Sequence, residues 1–427
     1  MTAWLILIIL VAMTVLMVTK KVPTLFALPI MAILIAVVSG IPFFSTTGAD
    51  GEVVKGIQQL IFQDGPARLA STMVTMFFGA ILGKLVEITG IAETTIKKIS
   101  ELAGDRPMVL CGLISAVLAL LFTSLTGLGS LILVGNIALP ILISGGIPPL
   151  VAGCLFLLAM SLGGVFNVVN WSLYINTIGI PIEQVRSFSW VIGGLLAVSI
   201  AVFIATQCRN ISLHFAAPAE DSAPLNKKKP NLAALLTPLV PIVLIMGFSL
   251  DANLSLCVGI LWGVLTTLNQ NSLQTLTRAT LEGISSVSIA TFLMMGIGML
   301  VVVVMDPRVT AHINSILSTV LPSSPVTYVL FFTLLAPLSL YRGPLNIWGL
   351  GIGLVALVMG TGVLPGLAVM AAFWSAGQLQ TLDPTNTQNI WTASAVECDV
   401  NDILKKCILY LWPVVLGGLV VAAFLYF

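Results

Sequence analysis

Thr126-Gly-Leu-Gly-Ser130 and Tyr341-Arg-Gly-Pro-Leu-Asn346 interrupt long apolar runs with small, turn-forming and polar residues. At an offset of 216 positions Gly127 meets Gly343, Gly135 meets Gly351 and Gly146 meets Gly362. The same offset of 216 aligns Pro149 with Pro365 and Asn170 with Asn386. The breaks that follow repeat in order: Gly146-Ile-Pro-Pro149 then Phe166-Asn-Val-Val-Asn170, and Gly362-Val-Leu-Pro365 then Asp383-Pro-Thr-Asn386. Identities are few, and the matched order carries the signal. A lipid-facing helix does not break, because each orphaned N–H or C=O costs several kcal/mol. Paired breaks in corresponding halves therefore point to discontinuous helices building a site near the bilayer midplane, as in secondary transporters.

Composition agrees. Of 427 residues, 58% are apolar and 8% charged, and mean hydropathy is +1.09, the profile of an all-α polytopic membrane protein. A net charge of +1 gives no electrostatic case for a nucleic-acid partner. The run Trp4 to Met17 lacks a preceding basic region and a small-residue cleavage site, so it reads as a retained span. Cys111, Cys154, Cys208, Cys257, Cys398 and Cys407 are scattered without CxxC spacing, so neither disulfides nor a metal site are expected.

The apolar runs divide into two repeats joined by a cytoplasmic linker, 207–230. The first, 1–206, has scaffold helices in 1–90, a hairpin and broken helix in 108–180 and a last helix at 188–206. The second, 231–427, has scaffold helices in 232–304, a hairpin and broken helix in 324–395 and a last helix at 407–427. Segments 108–145 and 324–360 either cross twice or enter and return as re-entrant hairpins; in both cases the chain emerges where it entered. With the N-terminus outside, Lys20, Lys21, Lys97, Lys98, Arg106, Arg209, Lys227–Lys229, Arg278, Lys405 and Lys406 lie in the cytoplasm. Lys55, Arg68, Arg186 and Arg308 remain outside, an asymmetry that follows the positive-inside rule. The two polar tips then open to opposite sides, and the halves are inverted copies.

Arg342 is the sharpest single residue. A guanidinium at membrane depth faces protein or water and finds a partner, and its planar fork suits a substrate carboxylate. Gly127, Gly129 and Gly343 allow close backbone approach, while Thr126, Ser130 and Asn346 offer side-chain donors and acceptors. Asn167 and Asn170 interrupt the first broken helix. Asp383 to Asn389, seven residues with no apolar member other than Pro384, interrupt the second and bring Thr385 and Asn386 into the candidate site. Asp383, with Asn389, is the expected ion-coupling element, by titration or by holding sodium. Lys84 and Glu87 share a helix face at i,i+3 and form a second-rank pair. His214 and His312 fall in expected loops, and Glu397, Asp399, Asp402, Lys405 and Lys406 in an expected solvated turn.

The stretch Gly79-Ala-Ile-Leu-Gly-Lys-Leu-Val-Glu-Ile-Thr-Gly90, followed by a basic helix, resembles the third-helix region of gluconate:proton symporters. The tip-and-broken-helix pattern in both halves resembles the wider ion transporter superfamily. That resemblance implies an elevator-type carrier: a dimerising scaffold and a mobile domain holding both hairpins and both broken helices. Binding positions carried over from it are Thr126 to Ser130, Asn167 to Asn170, Arg342 to Asn346 and Asp383 to Asn386. The tips lack the Ser-Asn-Thr pattern of its sodium/dicarboxylate branch and read Gly-Leu-Gly-Ser and Gly-Pro-Leu-Asn instead.

The expectation is a multi-pass, homodimeric carrier of the inner (plasma) membrane that couples uptake of a small organic anion, such as gluconate, to a cation. The proton is the first choice of ion and sodium the second, with no cofactor and no metal site. The alternative is a sodium/proton antiporter of the same superfamily. An enzyme is not expected, because HExxH and Gly-x-Ser-x-Gly are both absent.

Overall fold

The computed structural model describes residues 2–19, 21–47, 53–104, 106–209, 230–268, 271–349 and 351–427. Lys20, His214, Lys227–Lys229 and most of the expected linker lie outside the described residues. The described residues form helices and their connections, apart from a short β-ribbon pairing Thr46–Thr47 with Val53–Val54. Among the described residues six helices are long and apolar enough to cross a membrane. A seventh span results if the bent pair Pro149–Val165 and Val168–Asn176 is counted as one. The molecule is thus a multi-pass membrane protein.

Proline and glycine punctuate the apolar runs. Pro107, Pro149, Pro307 and Pro325 open helices at positions where a missing N–H costs nothing. Gly146 and Gly362 take φ of +85° and +67° at the turns that lead into the two bent helices, a conformation other residues enter only with strain.

One helical body is organised by Ser272–Val304, which packs along Ala70–Ile88, Thr24–Val38 and the segment Ile57–Arg68. Small residues bring these backbones together: a Cβ on Gly283 would press on the Ala80 backbone, and one on Gly298 would overlap the Gly65 carbonyl. Helix 57–68 is loosened by a π-turn at Leu60–Asp64 just before that contact. In a second body, Pro107–Phe122, Pro149–Val165 and Ile182–Gln207 pack together with Gly366–Ala376 and Val400–Tyr426.

Several boundaries move outward from their expected positions. The last helix of the first half starts at Ile182, not 188, and that of the second at Val400, not 407. Asp399 caps Val400–Tyr426 by accepting from the Asn401 N–H, so Asp402, Lys405 and Lys406 belong to the opening turns of that helix, not to a loop. His312 likewise lies on the exposed face of Pro307–Val320. In each case an amphipathic or charged turn extends an apolar run, which hydropathy alone truncates.

Candidate functional site

Each half contains a helical hairpin, a bent helix and a closing helix, in that order. In the first half Pro107–Phe122 leads to the tip, and Gly127–Ser144 returns from it. A Cβ on Gly145, at the base of the returning arm, would overlap Leu110 at the base of the first, so the two arms start and end together. The bent helix runs Pro149–Val165, turns by 50° at Phe166 and Asn167, and continues through Val168–Thr177.

Asn167 joins tip to bend. Its Nδ2 donates to the carbonyls of Phe122 (2.8 Å) and Leu125 (3.3 Å), while its Oδ1 accepts from the Val169 N–H at 2.9 Å. The tip therefore reaches the depth of the bend, about 26 Å along the helix from Pro149. The bent helix continues for about 15 Å beyond that point.

The second half repeats the arrangement with reversed chemistry. Pro325–Leu335 tightens into 3₁₀ turns from Ala336, the chain kinks at Leu340 and Tyr341, whose backbone is not helical, and turns on to Gly349, and Gly351–Thr361 returns. Gly366–Ala376 and the 3₁₀ segment Gly377–Leu382 break at Asp383, and Thr387–Ala395 continues. Asp383 is 1% exposed. Its Oδ2 accepts the Arg342 N–H at 2.8 Å, and its Oδ1 accepts both the N–H (2.8 Å) and the hydroxyl (2.7 Å) of Thr385. In one half an amide donates to tip carbonyls; in the other a carboxylate accepts a tip N–H.

The bends also share an Asn-x-x-Asn element, Asn167 to Asn170 and Asn386 to Asn389. The first Asn caps the outgoing helix by accepting from the N–H two residues on. The second reaches back six residues, Asn170 to the Gly164 carbonyl (2.7 Å) and Asn389 to the Asp383 carbonyl (2.8 Å). Here the register is 219, pairing Asn170 with Asn389 and not with Asn386, while Asn167 and Asp383 keep the 216 register. The three-residue difference is the longer break around Pro384.

These bonds divide the expected site residues into two groups. Asn167, Asn386 and Asn346 hold the structure; Asn346 donates to the Ser339 carbonyl and accepts from the Trp348 N–H. Gly343 is needed for close approach, since a Cβ there would overlap the Leu338 carbonyl. Other groups are uncommitted. The Arg342 guanidinium, half-buried, has no hydrogen-bond or ion-pair partner among the described residues. Thr126 Oγ1 and Asn389 Oδ1 are buried without partners. Ser130 is buried next to Gly83, and Gly127, with φ +87°, lies against Ser286. Gly129 is exposed.

Tyr341 and Arg342 both adopt left-handed φ, +55° and +54°. Two consecutive non-glycine residues in this region are held there by surrounding contacts, of which the Asp383 bond is one. The backbone at this tip is over-determined while the Arg342 side chain stays free. Among the described residues no hydrogen bond joins one tip to the other.

Three residues the sequence reading missed link the halves. Ser161 donates to Gln378 Oε1 at 3.3 Å and accepts from Thr381 at 3.0 Å, all three buried. Tyr174 stacks on Trp374 at 4.6 Å, so the bent helices cross through both polar and aromatic contacts. The available signal was a polar residue inside each apolar run. Lys84 bridges Glu87 (2.5 Å) and Glu282 (3.1 Å), and Glu282 also meets Arg278. That network pins two helices of the first body and reaches neither bend.

The chain matches the crystal structure of the YdaH transporter of Alcanivorax borkumensis with a TM-score of 0.60. The match covers 96% of this chain and 98% of that one at 14% identity, which establishes a common fold. No family model and no curated protein matches the sequence.

Proposed function

We propose that this protein is a secondary transporter that couples uptake of a small organic anion, gluconate or another carboxylate, to entry of a proton. The observation that carries the reading is Arg342: an unpaired guanidinium on a re-entrant tip whose backbone is independently fastened. A cation in that position is favoured when a ligand supplies the missing carboxylate. Thr126, Ser130, Asn170 and Asn389 offer acceptors and hydroxyls for a polyhydroxylated chain. The shared fold with a transporter supports the same reading.

Asp383 gives the coupling a physical form. Protonation of Oδ2 replaces an acceptor with a donor opposite the Arg342 N–H, and the bond that fastens the second tip is lost. Proton binding would thus loosen the tip that carries the anion-binding cation. In this reading the halves are inverted copies, the hairpins and bent helices move as one body against the rest, and two chains associate in the plasma membrane.

A sodium/proton antiporter is the second reading, favoured by the deeply buried carboxylate of Asp383. Proton flux into sealed proteoliposomes, followed with a pH dye, decides between them. Lumenal acidification that requires gluconate, lactate, succinate or citrate supports anion symport. Acid movement driven by sodium alone, indifferent to every anion, overturns it.

A further inference from the structure

Folding gathers cysteines that are scattered in sequence. Cys111, in the second turn of Pro107–Phe122, and Cys208, the residue that ends Ile182–Gln207, bring their Sγ atoms to 3.5 Å although 97 positions separate them. Both are fully buried. Both nevertheless lie next to surface residues: Met108 and Val109, which precede Cys111, are exposed, and the exposed, charged Arg209 follows Cys208. Both segments end at the membrane side to which the basic loops belong.

We propose that Cys111 and Cys208 form a reversible redox pair, a dithiol at rest that a peroxide converts to a disulfide tying the base of the first hairpin to the end of Ile182–Gln207. A disulfide needs an S–S distance of about 2.05 Å, so small side-chain rotations suffice to close a contact already made. The basic residue beside Cys208 favours its thiolate as the first nucleophile. That thiolate attacks one peroxide oxygen, the O–O bond breaks, and a sulfenic acid and water result. The Cys111 thiolate then attacks the sulfenic sulfur, the S–O bond breaks, and the oxygen leaves as a second water. Two thiols lose two electrons and two protons, and one peroxide accepts them. The 97-position separation makes the link long-range, of the kind that constrains an unfolded chain most.

The test uses the full-length protein in detergent, purified with reductant, exposed to hydrogen peroxide and then quenched with N-ethylmaleimide. Peptide mapping should reveal a Cys111–Cys208 linked peptide that dithiothreitol removes. In a parallel sample, in which catalase and not N-ethylmaleimide ends the peroxide treatment, maleimide-polyethylene glycol labelling after denaturation should fall from six thiols to four. In Cys111→Ser or Cys208→Ser the linked peptide should be absent. Six labelled thiols after peroxide, or linkage found only elsewhere, such as between Cys154 and Cys407, would overturn the proposal. The wild-type protein alone decides the matter, so misfolding of a variant does not.

Discussion

Asp383 holds Arg342 by its backbone and not by its charge: the carboxylate accepts the Arg342 N–H at 2.8 Å, while the guanidinium makes no hydrogen bond or ion pair among the described residues. The sequence assigns Arg342 to a substrate carboxylate and Asp383 to ion coupling, with no bond between them. In the fold the acid fastens the loop by its backbone, and the base keeps its side chain unbonded among the described residues.

Arg342→Ala should therefore leave folding intact and remove anion uptake. A charge-assisted hydrogen bond contributes roughly 1.5–3 kcal/mol, so uptake should fall by about 10- to 150-fold. Arg342→Gly should lose uptake equally but unfold at a higher temperature than Arg342→Ala, because glycine accepts the +54° φ without strain. Counter-flow of labelled anion and thermal unfolding of the same preparations check both. Uptake retained in Arg342→Ala would remove the anion site.

Asp383→Asn and Asn167→Asp each make one half resemble the other, and both should destabilise. The amide in Asp383→Asn turns an NH₂ toward a backbone or hydroxyl donor, and the carboxylate in Asn167→Asp faces the Phe122 and Leu125 carbonyls. An unsatisfied buried group costs about 1–3 kcal/mol. Denaturation in detergent should register that loss in both variants; wild-type stability in either would refute the tip-to-bend clamp.

Gly135 admits the Trp391 ring, which also lies against Phe156. Gly135→Ala places a methyl inside that ring and should cost about 1–3 kcal/mol through overpacking. Trp391→Phe shortens the ring and should recover part of the loss, so the two substitutions together should be less damaging than their sum. Strict additivity in a double-mutant cycle would show that the contact is not made.

Lys84→Met should destabilise without altering selectivity for the anion. Glu87 has one buried oxygen with no hydrogen bond and would lose its neutralising partner. Because these side chains are about one-fifth exposed, the cost should lie below the several kcal/mol of a fully buried pair. An unchanged KM with reduced thermal stability is the expected result. A changed proton-to-anion ratio would instead make Lys84 part of the coupling machinery.

The membrane class and the positions of the tips and bends were legible in the sequence, because lipid forbids a broken backbone and each interruption shows as Gly, Pro, Asn or Asp within an apolar run. The same logic located Arg342 and Asp383, but it matched Asn170 to Asn386, and only the hydrogen bonds showed Asn389 to be its counterpart. Only the tertiary structure decided what each side chain does. Hydrogen-bond partners such as the Phe122 carbonyl for Asn167 and the Arg342 N–H for Asp383 lie about forty positions away, and nothing in local pattern specifies them. Ser161 with Gln378, and Cys111 with Cys208, meet for the same reason: helix packing, not spacing along the chain, brings them together. Periodicity reports which residues a helix must hide from lipid, and only packing determines which of them touch.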